Sequence, residues 1–144
     1  MKRIFTIFLL MCSILLTACN NANIEDKWGI TLYAEDVTPK GMSLKIEQFG
    51  GNPTGTLEHG EKYTIETAVN DEWQPLKTVT GEPLVWHLVA YSVKMNDISE
   101  IKINWEYSYG ELNPGFYRLK KEFTDVRAPG DYDTETYMVH FTIE

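Results

Sequence analysis

Asp131, Asp133 and Glu135 alternate in the run Asp131-Tyr132-Asp133-Thr134-Glu135, directly after Ala128-Pro129-Gly130. Three carboxylates so spaced offer oxygens to a calcium ion. Such an ion takes about six to eight oxygen ligands, and the helix-loop-helix calcium pattern also needs a glycine and a distal glutamate at fixed offsets. Neither offset is filled here, so Asp131, Asp133 and Glu135 are read as a solvated acidic loop and no metal or other cofactor is expected. The other groups able to do chemistry are sparse. His59, His87 and His140 are the only histidines, and none has a second ligand-type residue at a metal-motif spacing. His140 has the outward parity of a terminal strand, and His87, between apolar neighbours, reads as a core histidine. Ser43, Ser92, Ser99 and Ser108 lack the glycine-flanked context of an activated serine. Gly50-Gly51 and Gly55 do not lead from a strand into a helix, so they form no phosphate cradle. No catalytic residue is assigned, and the chain is read as no enzyme.

One thiol stands apart. Met1-Lys2-Arg3 is a short basic segment, and Ile4 to Leu16 is an apolar run of 13 residues, shorter than the roughly 20 that span a bilayer as a helix. The run ends in Leu16-Thr17-Ala18-Cys19, which resembles the lipobox of bacterial lipoproteins. The resemblance implies a signal peptide over residues 1–18 and a diacylglyceryl thioether on Cys19. Two acyl chains anchor stably where one does not. Residues 19–27 would then be a polar tether, and residues 28–144 one extracytoplasmic domain held near its membrane. Cys12 leaves with the leader, so the mature domain has no internal disulfide or cysteine metal site.

Charge narrows the partners. The whole chain has a formal net charge of -8, and the leader removes Lys2 and Arg3, which leaves -10. Such a surface repels phosphate backbones, and no basic run interleaved with aromatics offers an exception, so no nucleic acid is expected. Lys120-Lys121 reads as a solvated strand face, and Asp97, Glu100, Glu25 and Asp26 as surface charges. The partners left are the membrane, through Cys19, and an unnamed protein or cell-envelope ligand.

The elements that must position these groups are strands. Ile30, Leu32 and Ala34 alternate within Gly29 to Glu35, and Thr38-Pro39-Lys40-Gly41 turns into Met42, Leu44 and Ile46. Gly50 to Gly55 holds too much Gly and Pro for a strand or helix. Tyr63, Ile65, Thr67 and Val69 share a face, and Asn70-Asp71 turns into Glu72 to Leu76, an edge strand because of Pro75. Val85 to Tyr91 is read as a further strand, apolar on both faces. Ile101, Ile103 and Trp105 alternate, Leu112 to Gly115 turns into Phe116 to Phe123, and Tyr137, Val139, Phe141 and Ile143 close the chain. Seven to eight strands without a sustained helical period predict an all-β, antiparallel two-sheet sandwich. Trp28, Trp73, Trp86 and Trp105, with Tyr107 and Tyr109, either fill its core or line a groove, and core packing is the preferred reading.

The stretch from Trp105 to Glu122, and within it Tyr109-Gly110-Glu111-Leu112 through Arg118, resembles a bacterial immunoglobulin-like domain family of secreted and lipid-anchored proteins. Thr38 to Leu44, and Lys62 to Ile65 with Trp73, fit the same family. The resemblance implies an immunoglobulin-like sandwich and no particular chemistry. In physical terms Pro114-Gly115 presets a turn, Gly115 being expected at positive φ, and Tyr117 is placed to bond back to nearby backbone. Function is therefore expected to be that of a lipid-anchored binding or accessory module. Its contacts would be made by Gly50 to Gly60 or Asp125 to Thr134. The alternative is an inhibitor or sensor accessory of an extracytoplasmic enzyme such as a protease, one loop serving as an extended wedge.

Overall fold

The computed structural model describes residues 26–144; Cys19, the leader and residues 20–25 of the tether lie outside the described residues. The chain runs β1 (Ile30–Thr38), β2 (Gly41–Gln48), β3 (Thr56–Val69), β4 (Glu72–Pro75), β5 (Tyr91–Ser92), β6 (Asp97–Asn104), the one-turn helix α1 (Glu106–Tyr109), β7 (Gly115–Ala128) and β8 (Asp131–Ile143). Two antiparallel sheets result. One has the order β1-β2-β6; the other has the order β4-β3-β7-β8, with the short β5 also on β3. A three-stranded sheet facing one built around two long central strands is the immunoglobulin arrangement, in which β1, β2 and β6 take the A, B and E places and β4, β3, β7 and β8 the C′, C, F and G places.

Alternation builds this core as expected. Ile30 and Leu32 on β1, Leu44 and Ile46 on β2, Ile65 on β3, Leu119 and Phe123 on β7, and Phe141 and Ile143 on β8 all point between the sheets and are buried. Trp28 and Trp105 are fully buried with them. Each such side chain contributes about 1.5–3 kcal/mol relative to exposure. Asn70 and Asp71 both take positive φ (52° and 64°) in the two-residue turn before β4, the turn whose twist matches a hairpin. β4, with Pro75, lies at the sheet edge.

Four details depart from the sequence reading. First, Val85 to Tyr91 is not a strand. Only Tyr91 and Ser92 pair with β3, and residues 83–90 pair with no strand among the described residues. The apolar run is real, but between the partners of β4 and β5 the edge of β3 that it would have to join is bulged from His59 to Tyr63, so only its last residue, Tyr91, pairs.

Second, the adjacent lysines part company. Neighbours on a strand face opposite sides, so Lys120 lies outward and Lys121 inward at 1% exposure. The β3 register slips against β7 between His59 and Tyr63, and the bulge frees carbonyls that the ladder would have used. Lys121 Nζ donates to two of them, Gly60 O at 2.5 Å and Lys62 O at 3.4 Å. Burial pushes this amine down to about 8, against the pull of Glu61.

Third, Gly115 does not adopt positive φ; what its missing side chain provides is room for Tyr117. A Cβ there would sit 3.3 Å from the Tyr117 ring and hydroxyl. Tyr117 does bond back: its Oη donates to Asn113 O at 2.8 Å, at the start of the F-position strand where immunoglobulin sandwiches place such a tyrosine.

Fourth, Asp26 and Lys27 belong to the fold, although composition places them in the tether. Asp26 Oδ2 accepts from Trp28 N at 3.0 Å, Ile30 N at 3.0 Å and Tyr137 Oη at 2.7 Å. A polar residue that knots backbone has the same composition as one that is merely solvated.

Candidate binding surface

The expected contact loops, Gly50 to Gly60 and Asp125 to Thr134, meet at one end of the sandwich. The meeting point is Asp125, buried at 1% exposure. Its carboxylate accepts from Thr54 N (2.7 Å), Thr54 Oγ1 (2.9 Å) and Gly55 N (2.6 Å). Burial pushes this carboxyl up, but those bonds together with Arg127 hold it below its ordinary range. Beside it the guanidinium of Arg127 bonds Asp131 at 2.7 Å, Asp133 at 3.0 Å and Thr54 Oγ1 at 3.0 Å. Lys27 reaches Glu135 at 3.2 Å. The three alternating carboxylates are thus engaged by cations of the chain itself. The same end is where the expected tether would enter: Phe49 N donates to Gly29 O at 2.9 Å and Asn52 N to Lys27 O at 2.8 Å. Gly29 and Gly51 permit this approach, since a Cβ on either would come within 2.3 Å of the other segment's backbone.

The histidines are scattered. His59 is buried between Phe123 and Tyr91, each ring centroid 5.5 Å away, and burial pushes its imidazole below the usual value despite the Gly60 carbonyl. His87 is not a core residue; its side chain is 86% exposed and meets Glu61 at 3.0 Å. The unpaired course of residues 83–90 carries it out of the core. Ser43 comes nearest to an activated hydroxyl. It is buried and bonded by Lys102 Nζ, with Asp36 Oδ2 at 3.3 Å. Its bond to Glu100 raises the Lys102 amine, and an ammonium so held cannot take the serine's proton.

The outer face of the larger sheet carries a different cluster, at the end away from the tether. Trp73 on β4 stands opposite Ala68 on β3, and this small residue lets the indole lean across toward β7 and β8. There its ring centroid is 5.5 Å from Phe116 and 5.3 Å from His140, while Phe116 and His140 stack at 5.5 Å with planes 8° apart. The Arg118 guanidinium lies 4.5 Å from the Trp73 centroid and 3.8 Å from Met138 Sδ. It is held from beneath by Glu66, which also meets Lys120 at 3.4 Å. Glu66 thereby fixes the cation that lies over the Trp73 ring. Phe116 is 52% and Met138 46% exposed, so His140 stands on the outward face as its parity predicts, but within an aromatic cluster.

Of the aromatics weighed as a groove, Trp28 and Trp105 are core, Trp86 packs 4.9 Å from Tyr63, and Tyr107 is 90% exposed on α1. The patch escapes a reading along the chain because its members come from three strands. The available signal was the shared outward parity of Phe116, Arg118, Met138 and His140 next to a hairpin bearing Trp73. Aromatic residues and arginine are enriched where surfaces bind other proteins.

A family model described as a bacterial Ig-like domain matches residues 26–141 of the chain. No curated protein matches it, and no solved structure does.

Proposed function

The chain belongs to the bacterial Ig-like domain family, and from that premise we propose that it is a lipid-anchored, extracytoplasmic, non-catalytic binding module. Its binding surface is the outward patch of Trp73, Phe116, Arg118, Met138 and His140. The observation that carries the reading is the guanidinium set over the Trp73 ring and fixed by Glu66 on an open sheet face. A pre-positioned arginine with flanking rings loses little side-chain entropy on contact, and this composition concentrates binding energy. The Leu16 to Cys19 lipobox supports the anchor. A domain spanning residues 28–144, with Asp26 and Lys27 joined to it, would hold the patch away from the bilayer, since the tether leaves from the opposite end.

Cross-linking on cells, followed by pull-down of the lipidated protein, tests the reading. A discrete envelope partner should be captured by the native chain and lost with Phe116→Ser and Arg118→Glu. Unchanged capture by both variants would move the contact elsewhere. Mass spectrometry of the mature N-terminus tests the anchor, which Cys19→Ala should abolish.

One observation favours the second reading, an inhibitor or sensor accessory of an extracytoplasmic enzyme. Residues 83–90 run unpaired, with Val85 97% and Leu88 104% exposed. An extended segment showing its side chains is the form in which a wedge would present itself to a protease cleft or a sheet edge. Leu88→Asp, with no change at Phe116, separates the two readings by which variant loses the partner.

A further inference from the structure

A second apolar group lies at the tether-side end. Phe49 is 51%, Met95 48% and Ile98 50% exposed. Ile98 pairs with Glu47 across β2 and β6, and Phe49 follows two residues after Glu47, so both occupy the outward face of the smaller sheet at its tether-side margin. Met95 belongs to the turn before β6, where the neighbouring Asn96 N donates to Gln48 Oε1 at 2.7 Å. Phe49 N in turn bonds Gly29 O, which puts the group beside the point where the chain enters the domain.

The length of chain outside the described residues sets what can cover it. Seven steps separate Cys19 from Asp26, at most about 23 Å when fully extended and on the order of 15 Å as a relaxed coil. A diacylated Cys19 therefore lets the tether-side end touch the headgroup region and keeps it there at a high local concentration. We propose that this end of the domain rests on the phospholipid bilayer, with Phe49, Met95 and Ile98 inserted at the interface. The proposal rests on the anchored reading of Cys19. The charges around the group are mixed, Glu47 being paired with Lys45 at 3.4 Å and Lys94 standing next to Met95 as Asp97 does to Ile98, so the contact is made by apolar burial, with little dependence on salt. The docking would fix the domain's tilt and present the far patch outward.

The test uses the lipidated full chain in phosphatidylcholine vesicles carrying a spin-labelled lipid. The leader takes Cys12 with it and Cys19 is acylated, so Phe49→Cys, Ile98→Cys and, at the far end, Phe116→Cys each provide a single free thiol for an environment-sensitive fluorophore. Labels at positions 49 and 98 should be quenched at least about twofold, the depth of an interfacial side chain. The label at 116 should be unaffected, and the pattern should persist at about 0.5 M salt. Equal water exposure at all three positions, on protein that sediments with the vesicles, would overturn the docking while leaving the anchor intact. A mature chain without lipid on Cys19 would overturn the anchor and the docking together. Should a labelled variant fail to fold, brominated lipid should quench the extra emission of Phe49→Trp, measured as the difference from the native chain with its four tryptophans.

Discussion

The two ends of this sandwich are closed by different chemistry. At the tether side, single polar groups hold several strands of backbone at once: Asp26 takes three donors, Asp125 takes three, and Gln48 joins Trp28 O, Gly50 O and Asn96 N. At the far side the closure is aromatic. Trp105 and Tyr117 stack on Phe141 at 5.4 and 5.6 Å, and the Trp105 indole N–H donates to Pro39 O at 2.8 Å. A knot of hydrogen bonds fixes geometry and fails when one atom changes. A packed stack spreads its stability over many contacts and fails by volume.

The largest expected effect is at the far end. Trp105→Ala removes the largest ring of the stack and should cost about 3–5 kcal/mol in denaturant unfolding; a loss under about 1 kcal/mol would show that the aromatic closure is not what holds that end.

Next comes Asp125→Asn, which weakens three charge-assisted bonds and should cost about 1.5–3 kcal/mol. Its pH signature has a defined sign. The folded carboxyl lies below its ordinary 3.8, so its contribution is complete above the unfolded value and is lost as pH falls through the folded one. Acid titration of the melting temperature should therefore show a limb below about pH 4 that the variant lacks.

Lys121 tests a polar knot midway between the ends. Its folded amine is lowered to about 8 from 10.5, so between those values the unfolded chain binds more protons and stability rises with pH. The rise should be on the order of 2 kcal/mol from pH 8 to 10 and should vanish in Lys121→Met. Above about pH 10 the trend reverses, because burial raises Tyr63 to about 12 and unfolded tyrosines ionise first.

Tyr117→Phe keeps the ring and removes only the bond to Asn113 O, for about 1 kcal/mol. The smallest effect belongs to Arg127→Gln. Its partners are half exposed, and such pairs are worth about 0–1 kcal/mol. A loss comparable to that of Asp125→Asn would make the acidic loop part of the knot.

These two kinds of closure also divide what could be read from residues alone. Ile30, Leu44, Ile65 and Phe141 announce their side by period, and with the turns they specify eight strands in two sheets. Turn chemistry at Asn70-Asp71 and the edge position of Pro75 were equally plain. The polar knots were not, because Asp26 precedes the first strand, and Lys121 and Asp125, though on the inward parity of Leu119 and Phe123, are polar and take their partners from segments far along the chain, Asp26 from one 111 residues away. Val85 to Tyr91 failed for the converse reason: its composition suits a strand, but the stretch of β3 beside it is bulged between His59 and Tyr63 and offers no regular edge. The outward patch was legible only in part, through parity on β7 and β8, because Trp73 joins it by register with Ala68.

The clasp on Asp26 has a mechanical consequence. Tension between a membrane anchor and a partner gripping the far end would enter at the first residues of β1 and run along that strand's axis. The ladder from Ile30↔Gln48 to Glu35↔Ser43 lies across that axis, so its bonds would be sheared together instead of peeled one after another. Ahead of them Asp26, tied to Tyr137 on the other sheet, would transfer part of the pull to β8. A sandwich tethered in this sense resists extraction by sharing load between its two sheets, whereas the same fold held by its last strand would be pulled along β8 and meet the strain at its far end.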